Sequence, residues 1–111
     1  MKKIIIISII VLGAFSTTKA QKVETNIIVQ GVCGMCKERI ETALDVKGVK
    51  FAEWTNETSV CKVVYNSKKI SEMEIHKILA EAGHSTNLIE SSEEDYNKID
   101  GCCRYRELEK H

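Results

Sequence analysis

Proline is missing from all 111 residues. No cis-prolyl turn can therefore face a thiol pair anywhere in the fold, which removes the arrangement on which thioredoxin-like disulfide exchange depends. Aromatic side chains are scarce: beyond residue 20 there are only Phe51, Trp54, Tyr65, Tyr96 and Tyr105. They are too few for a platform on which bases stack. Neither sign of charge dominates, since 16 Lys and Arg stand against 16 Asp and Glu, and three of the basic residues fall within residues 1–20. The remainder is mildly acidic and has no electrostatic case for nucleic acid. A nucleotide-binding glycine motif, a Ser, His and Asp grouping, internal repeats and low-complexity tracts are absent too.

Long hydrophobic runs are limited to one, Ile4 to Phe15, preceded by Lys2 and Lys3 and followed by Thr18-Lys19-Ala20. A charged start, a short apolar stretch and a small-residue end read as a secretory signal peptide, residues 1–20. The run is shorter than the roughly 20 residues a permanent span needs. The expectation is an exported, periplasmic or secreted protein with no permanent membrane span, and with no cysteine near the cleavage point to carry a lipid. What remains from residue 21 on is enough for one small domain with one core.

Five cysteines are present. The odd count, and the closeness of Cys33 to Cys36 and of Cys102 to Cys103, argue against a disulfide framework, because neither pair closes a long loop. Cys33-Gly34-Met35-Cys36 is where two soft ligands fall at chelating spacing as a strand gives way to a helix. Val23 to Gly31 reads as that strand, and Lys37 to Val46 repeats its apolar residues at helical spacing. Helix N-termini favour thiolate over thiol, and Lys37 and Arg39 are expected to add cationic surroundings. Thiolates suit Cu(I), Hg(II) and Zn(II), and a lone CxxC equally suits a dithiol redox centre.

Along the chain, Gly31 is expected to give the binding loop backbone freedom, and Gly48 to end the first helix. Val49 to Trp54 and Ser59 to Tyr65 read as a hairpin turning at Asn56-Glu57, with Cys61, Val63 and Tyr65 on one face and Cys61 in the core. Ser71-Glu72-Met73-Glu74 is a capping box opening a helix that buries Ile75, Ile78, Leu79 and Ala82 and closes at Gly83. His84 to Ile89 supplies a last short strand. The order β-α-β-β-α-β predicts an α+β ferredoxin-like sandwich: a four-stranded antiparallel sheet with both helices on one face. The acidic opening Ser91 to Asp95 starts a short helix, and a polar tail follows that either lies over the sheet or returns to the loop end. His76 is expected at the surface, and the terminal His111 is expected to be disordered.

These residues resemble the heavy-metal-associated domain family, over roughly Val23 to Glu90. The likeness rests on Cys33-Gly34-Met35-Cys36, Arg39 to Leu44, Lys47-Gly48-Val49, Val63 to Asn66 and Ala82-Gly83-His84. The resemblance implies a domain at residues 21–90 whose Cys33 and Cys36 bind one metal ion, often Cu(I), and pass it on by exchanging thiolates. By the same analogy a membrane metal transporter or P-type ATPase is a partner. The family's methionine before the first cysteine is absent here, with Val32 or Met35 in its place. His84 stands where the family commonly has an aromatic residue, and is an auxiliary candidate as third ligand or as a tuner of the thiolates. Residues 91–111 form a C-terminal tail whose Cys102-Cys103 resembles tails of exported bacterial metal-binding relatives. Folded back, the tail would bring four sulfurs together, a set suited to Zn(II). The favoured reading is a non-enzymatic carrier or scavenger of a soft ion, and the alternative is a thiol-disulfide redox protein.

Overall fold

The computed structural model describes residues 21–111, so the expected signal peptide lies outside the described residues. Strands β1 (Lys22–Ile28), β2 (Val49–Thr55) and β3 (Val60–Asn66) form an antiparallel sheet in the order β1-β3-β2. Cross-strand register sets the buried side. Cys61 stands opposite Ile27 on one flank and Trp54 on the other, and Val63 lies between Thr25 and Ala52. Cys61, Val63 and Tyr65 share the inward face as the period of two predicts, and Cys61 is a fully buried core side chain.

Helices α1 (Gly34–Ala43) and α2 (Glu72–Glu81) cover that face. Ile40 and Leu44, with Ile75 and Leu79, join Ile27, Trp54 and Val63 in one core. Each such side chain withdrawn from water contributes about 1.5–3 kcal/mol. Helix α1 ends at Leu44, before Gly48, whose φ of +100° serves instead the turn into β2. Helix α2 opens on the expected capping box: Glu74 N–H donates to Ser71 Oγ at 3.1 Å and Ser71 N–H to the Glu74 carboxylate at 2.9 Å. It closes at Gly83, φ +104°, where the N–H groups of Gly83 and His84 reach back to the carbonyls of Ala80 and Leu79, both at 3.0 Å.

The sheet of the described residues has three strands, not the four expected. Gln30 N–H donates to Ser85 O at 2.8 Å and Asn87 N–H to Ile28 O at 3.1 Å, flanking a single bridge between Val29 and Thr86. The chain then turns away, because the Thr86 hydroxyl accepts the N–H groups of Leu88 and Ile89, both at 3.1 Å. With its lone pairs so engaged, that hydroxyl donates to His76 Nδ1 at 2.6 Å. His76 is thereby buried rather than at the surface. The buried stripe of α2 runs through Ile75, His76, Leu79 and Ala80, rotated from the expected face toward the C-terminal segment, from which Ser91 Oγ donates to Ala80 O at 2.7 Å.

That segment contains the expected short helix, α3 (Glu93–Tyr96), capped by Ser92, and a 3₁₀ turn at Gly101–Cys103. Tyr96, Ile99 and Cys103 are buried in the common core. A Cβ on Gly83 would lie 2.5 Å from Ile99 Cγ2, so the closing glycine of α2 is also what lets this segment pack down. Of the two courses open to the tail, it takes the return to the loop end.

Candidate metal centre

The loop between β1 and α1 is built around a buried indole. Trp54 Nε1–H donates to Val29 O at 2.9 Å, and a Cβ on Gly31 would come within 2.9 Å of the Trp54 ring and 3.0 Å of Cys36 Cβ. Gly31 therefore serves close approach rather than backbone freedom; among the described residues the glycines with positive φ are Gly48 and Gly83. Val32 is buried and its N–H points to Cys36 Sγ at 3.4 Å, whereas Met35 is 47% exposed. Val32, not Met35, takes the packing place beneath the loop.

Cys33 is the N-cap of α1, in extended conformation, and its carbonyl accepts Cys36 N–H at 3.0 Å. Its thiol faces Cys36, whose Sγ lies 3.7 Å away. From the other end of the chain Cys103 Sγ comes within 3.7 Å of Cys33 Sγ. The three sulfurs lie within 4.8 Å of one another and all three residues are buried. Around one ion at a metal–sulfur distance of about 2.3 Å, three thiolates stand about 4 Å apart. The observed spacing fits that requirement, and all five cysteines are free thiols.

Cys102 does not make a fourth member. Neighbours in a 3₁₀ turn project about a third of a revolution apart. With Cys103 turned inward, Cys102 is left exposed, its Sγ 3.3 Å from Met35 Sδ.

Burial works to raise the Cys33 thiol, but the N–H of Cys36, the thiols of Cys103 and Cys36 and the N–H of Met35 outweigh it and hold the group down at about 7. Burial, with the thiols of Cys36 and Cys33 beside it, pushes Cys103 well up. Burial likewise pushes Cys61 up to about 12. Cys33 thus gives up its proton readily. The cations expected to assist are directed elsewhere: Lys37 Nζ pairs with Glu41 at 2.6 Å, and Arg39 donates to Ala82 O at 2.7 Å. Helix N–H groups and the neighbouring thiols, not cationic side chains, favour the thiolate.

His84 is fully buried, with Nδ1 2.8 Å from Gln30 O. A carbonyl only accepts, so Nδ1 carries the proton. The ring falls outside the group of sulfurs within 4.8 Å of one another. Burial, with Arg39 nearby, keeps its pKa below the ordinary value although Gln30 O acts the other way.

Aromatic and basic tail residues missed in the sequence hold the third sulfur in place. Tyr105 stacks on His84, donates to Gly83 O at 2.7 Å and accepts Ser85 N–H at 3.0 Å, while Arg106 lies 4.2 Å over the Tyr96 ring. Beyond them Lys110 Nζ donates to Gly31 O at 3.2 Å, and His111 N–H to Val32 O at 2.7 Å, so the chain end is anchored rather than disordered. The only available signal was aromatic residues in an otherwise polar tail.

No protein-family model matches the chain, and no curated protein does. Solved structures do. The CopZ metallochaperone is similar with a TM-score of 0.55 and 26% identity over 58% of this chain and 98% of its own. A structure of the ZiaAN sub mutant is similar with a TM-score of 0.52 and 33% identity over 59% of this chain and 94% of its own. The chain belongs to the heavy-metal-associated domain family. A copper binding domain from HMA7, a P-type ATPase, is similar as well, with a TM-score of 0.56 and 26% identity over 58% of this chain and 89% of its own. About two fifths of this chain lies outside these matches, more than residues 1–20 account for. This heavy-metal-associated domain therefore carries an extension that those nearly fully matched relatives do not share.

Proposed function

We propose that the protein is a non-enzymatic binder of a soft metal ion, Cu(I) first, held by Cys33 and Cys36 with Cys103 as third ligand. The observation that carries the reading is the convergence of three buried sulfurs within 4.8 Å at the start of a helix. A set of soft thiolates without oxygen or nitrogen donors favours Cu(I) or Hg(II), and three rather than four sulfurs do not complete the closed tetrahedron that a structural Zn(II) site has. Likeness to the CopZ metallochaperone and to a copper binding domain supports copper among these. The ion is cargo, carried or sequestered outside the cytoplasm after export directed by residues 1–20, and handed on by stepwise thiolate exchange. A membrane transporter or P-type ATPase fits as its partner. Among the described residues no helix is long and apolar enough to cross a membrane.

The test is native mass spectrometry of reduced residues 21–111, which hold the whole described fold, titrated anaerobically with Cu(I), Zn(II) and Hg(II). One retained Cu(I) or Hg(II) that is lost in Cys33→Ser is the expected result. If no metal is held and the thiols instead exchange rapidly with disulfides, the reading is overturned in favour of a redox protein.

A further inference from the structure

Two sulfur side chains stand just outside the three-thiol centre. Met35 Sδ and Cys102 Sγ are 3.3 Å apart, and both residues are exposed. Burial accounts for neither. Both belong to the segments that build the centre: Met35 lies between Cys33 and Cys36, Cys102 precedes Cys103, and the Cys102 carbonyl accepts the Cys33 thiol at 3.4 Å. The inner sulfurs are covered, Cys33 being 7% exposed and Cys36 and Cys103 not at all. A thiolate arriving from solvent meets Met35 and Cys102 first.

We propose that Met35 and Cys102 form an outer two-sulfur site for Cu(I), through which the ion passes between solvent and the inner centre. The proposal rests on the reading of that centre as a metal site. A thioether beside a thiolate is a soft pair that takes Cu(I) and discriminates against harder divalent ions, so the outer site filters as well as conducts. On the way out, bonds from the ion to Cys36 and Cys103 break as bonds to Cys102 and Met35 form, with Cys33 bound throughout. Cys102 releases its proton on binding, each thiolate that lets go takes one up, and the thioether exchanges none. The ion remains Cu(I), and no oxidant or reductant enters. Incoming thiolates from a partner then replace Cys33, Cys102 and Met35 in turn, and once the last of these bonds is broken the ion rests on the partner.

Met35→Leu and Cys102→Ser alter exposed side chains and leave the core intact. Residues 21–111 of each variant and of the unaltered sequence are loaded with one equivalent of Cu(I) under argon, and the ion is withdrawn by a chromophoric Cu(I) chelator in a stopped-flow instrument. The expected result is one Cu(I) still held at equilibrium, with withdrawal slowed about tenfold in either variant and no further in the double variant. In protein labelled at the methionine methyl carbon, Ag(I) as a redox-inert stand-in is expected to move the Met35 signal, and to leave it unmoved in Cys102→Ser. Unchanged withdrawal rates, a silent Met35 methyl, or loss of the inner ion from either variant would each overturn the outer site. Those results leave the inner centre standing, whereas an unaltered sequence that holds no Cu(I) at all brings down both readings.

Discussion

Cys103 Sγ lies 3.7 Å from Cys33 Sγ although seventy residues separate them in the chain. The contact is held at a distance by packing that has no metal chemistry of its own: Ile99 against Gly83, Tyr96 edge-on to Tyr105, and Tyr105 bonded to Gly83 O. A third thiolate converts a two-sulfur loop into a more enclosed centre. Cys103→Ser is therefore expected to keep the fold and the bound Cu(I) but weaken it by at least about tenfold. Competition with a chromophoric Cu(I) chelator measures this directly, and an unchanged affinity would show that the loop pair alone holds the ion.

Ionisation of Cys33 gives a prediction for the metal-free protein. With its thiol brought down to about 7 while burial holds Cys61 up to about 12, iodoacetamide should modify Cys33 ahead of Cys61 in Cys102→Ser, which removes the exposed thiol that the reagent meets first. Only the thiolate reacts, so the rate is expected to fall about tenfold per unit below pH 7 and to level off above it. Peptide mapping after brief alkylation assigns the site. A rate still climbing steadily through about pH 9, the range of an ordinary thiol, would contradict the role given to the helix N–H groups.

Local rules and long-range packing divide what was legible in the sequence from what was not. The Cys33 and Cys36 spacing at a strand-to-helix junction, the Ser71 to Glu74 capping box and the inward row of Cys61, Val63 and Tyr65 depend on near neighbours and periodicity. Each is found as expected. The fourth strand stops after one bridge because the Thr86 hydroxyl turns the chain, a bond to Leu88 and Ile89 that composition does not reveal. The apolar stripe of α2 puts His76 at the surface because periodicity ignores a polar partner arriving from Thr86. Lys37 and Arg39 carry charge beside the loop in sequence, yet Glu41 and the Ala82 carbonyl draw them away in space. Convergence of Cys103 is not legible in the sequence, since it depends on how the tail aromatics seat against Gly83 and His84.

Gly83 is the residue on which that seating turns. A side chain there meets both a φ of +104° and a clash, with Ile99 Cγ2 at 2.5 Å and Asp95 O at 2.9 Å. The left-handed backbone costs about 1–2 kcal/mol for any other residue, and overpacking adds about 1–3 kcal/mol. Gly83→Ala is expected to lower stability in urea by about 2–5 kcal/mol. Because the clash displaces the segment that carries Cys103, Cu(I) affinity is expected to drop in parallel. A stable Gly83→Ala protein with unaltered metal affinity would mean that the tail is not positioned through this contact.

Acid should loosen the same region through His84. Its ring is buried with Nδ1–H bonded to Gln30 O, stacked on Tyr105, with the Arg39 guanidinium near enough to oppose a second positive charge. The folded pKa accordingly lies below the ordinary 6.5, mainly through burial. As pH falls below 6.5 the unfolded chain takes up a proton that the folded protein refuses, so the stabilising contribution is complete above 6.5 and is lost as pH descends toward the folded value. Urea midpoints of the metal-free protein are expected to decline between about pH 7 and about pH 5, and to decline less in His84→Phe, which keeps an aromatic ring but cannot titrate. The variant leaves Gln30 O unpaired and starts from lower stability, so the comparison is of slopes rather than of absolute values. Parallel slopes would show that His84 protonates equally well in both states and that its burial does not resist charge.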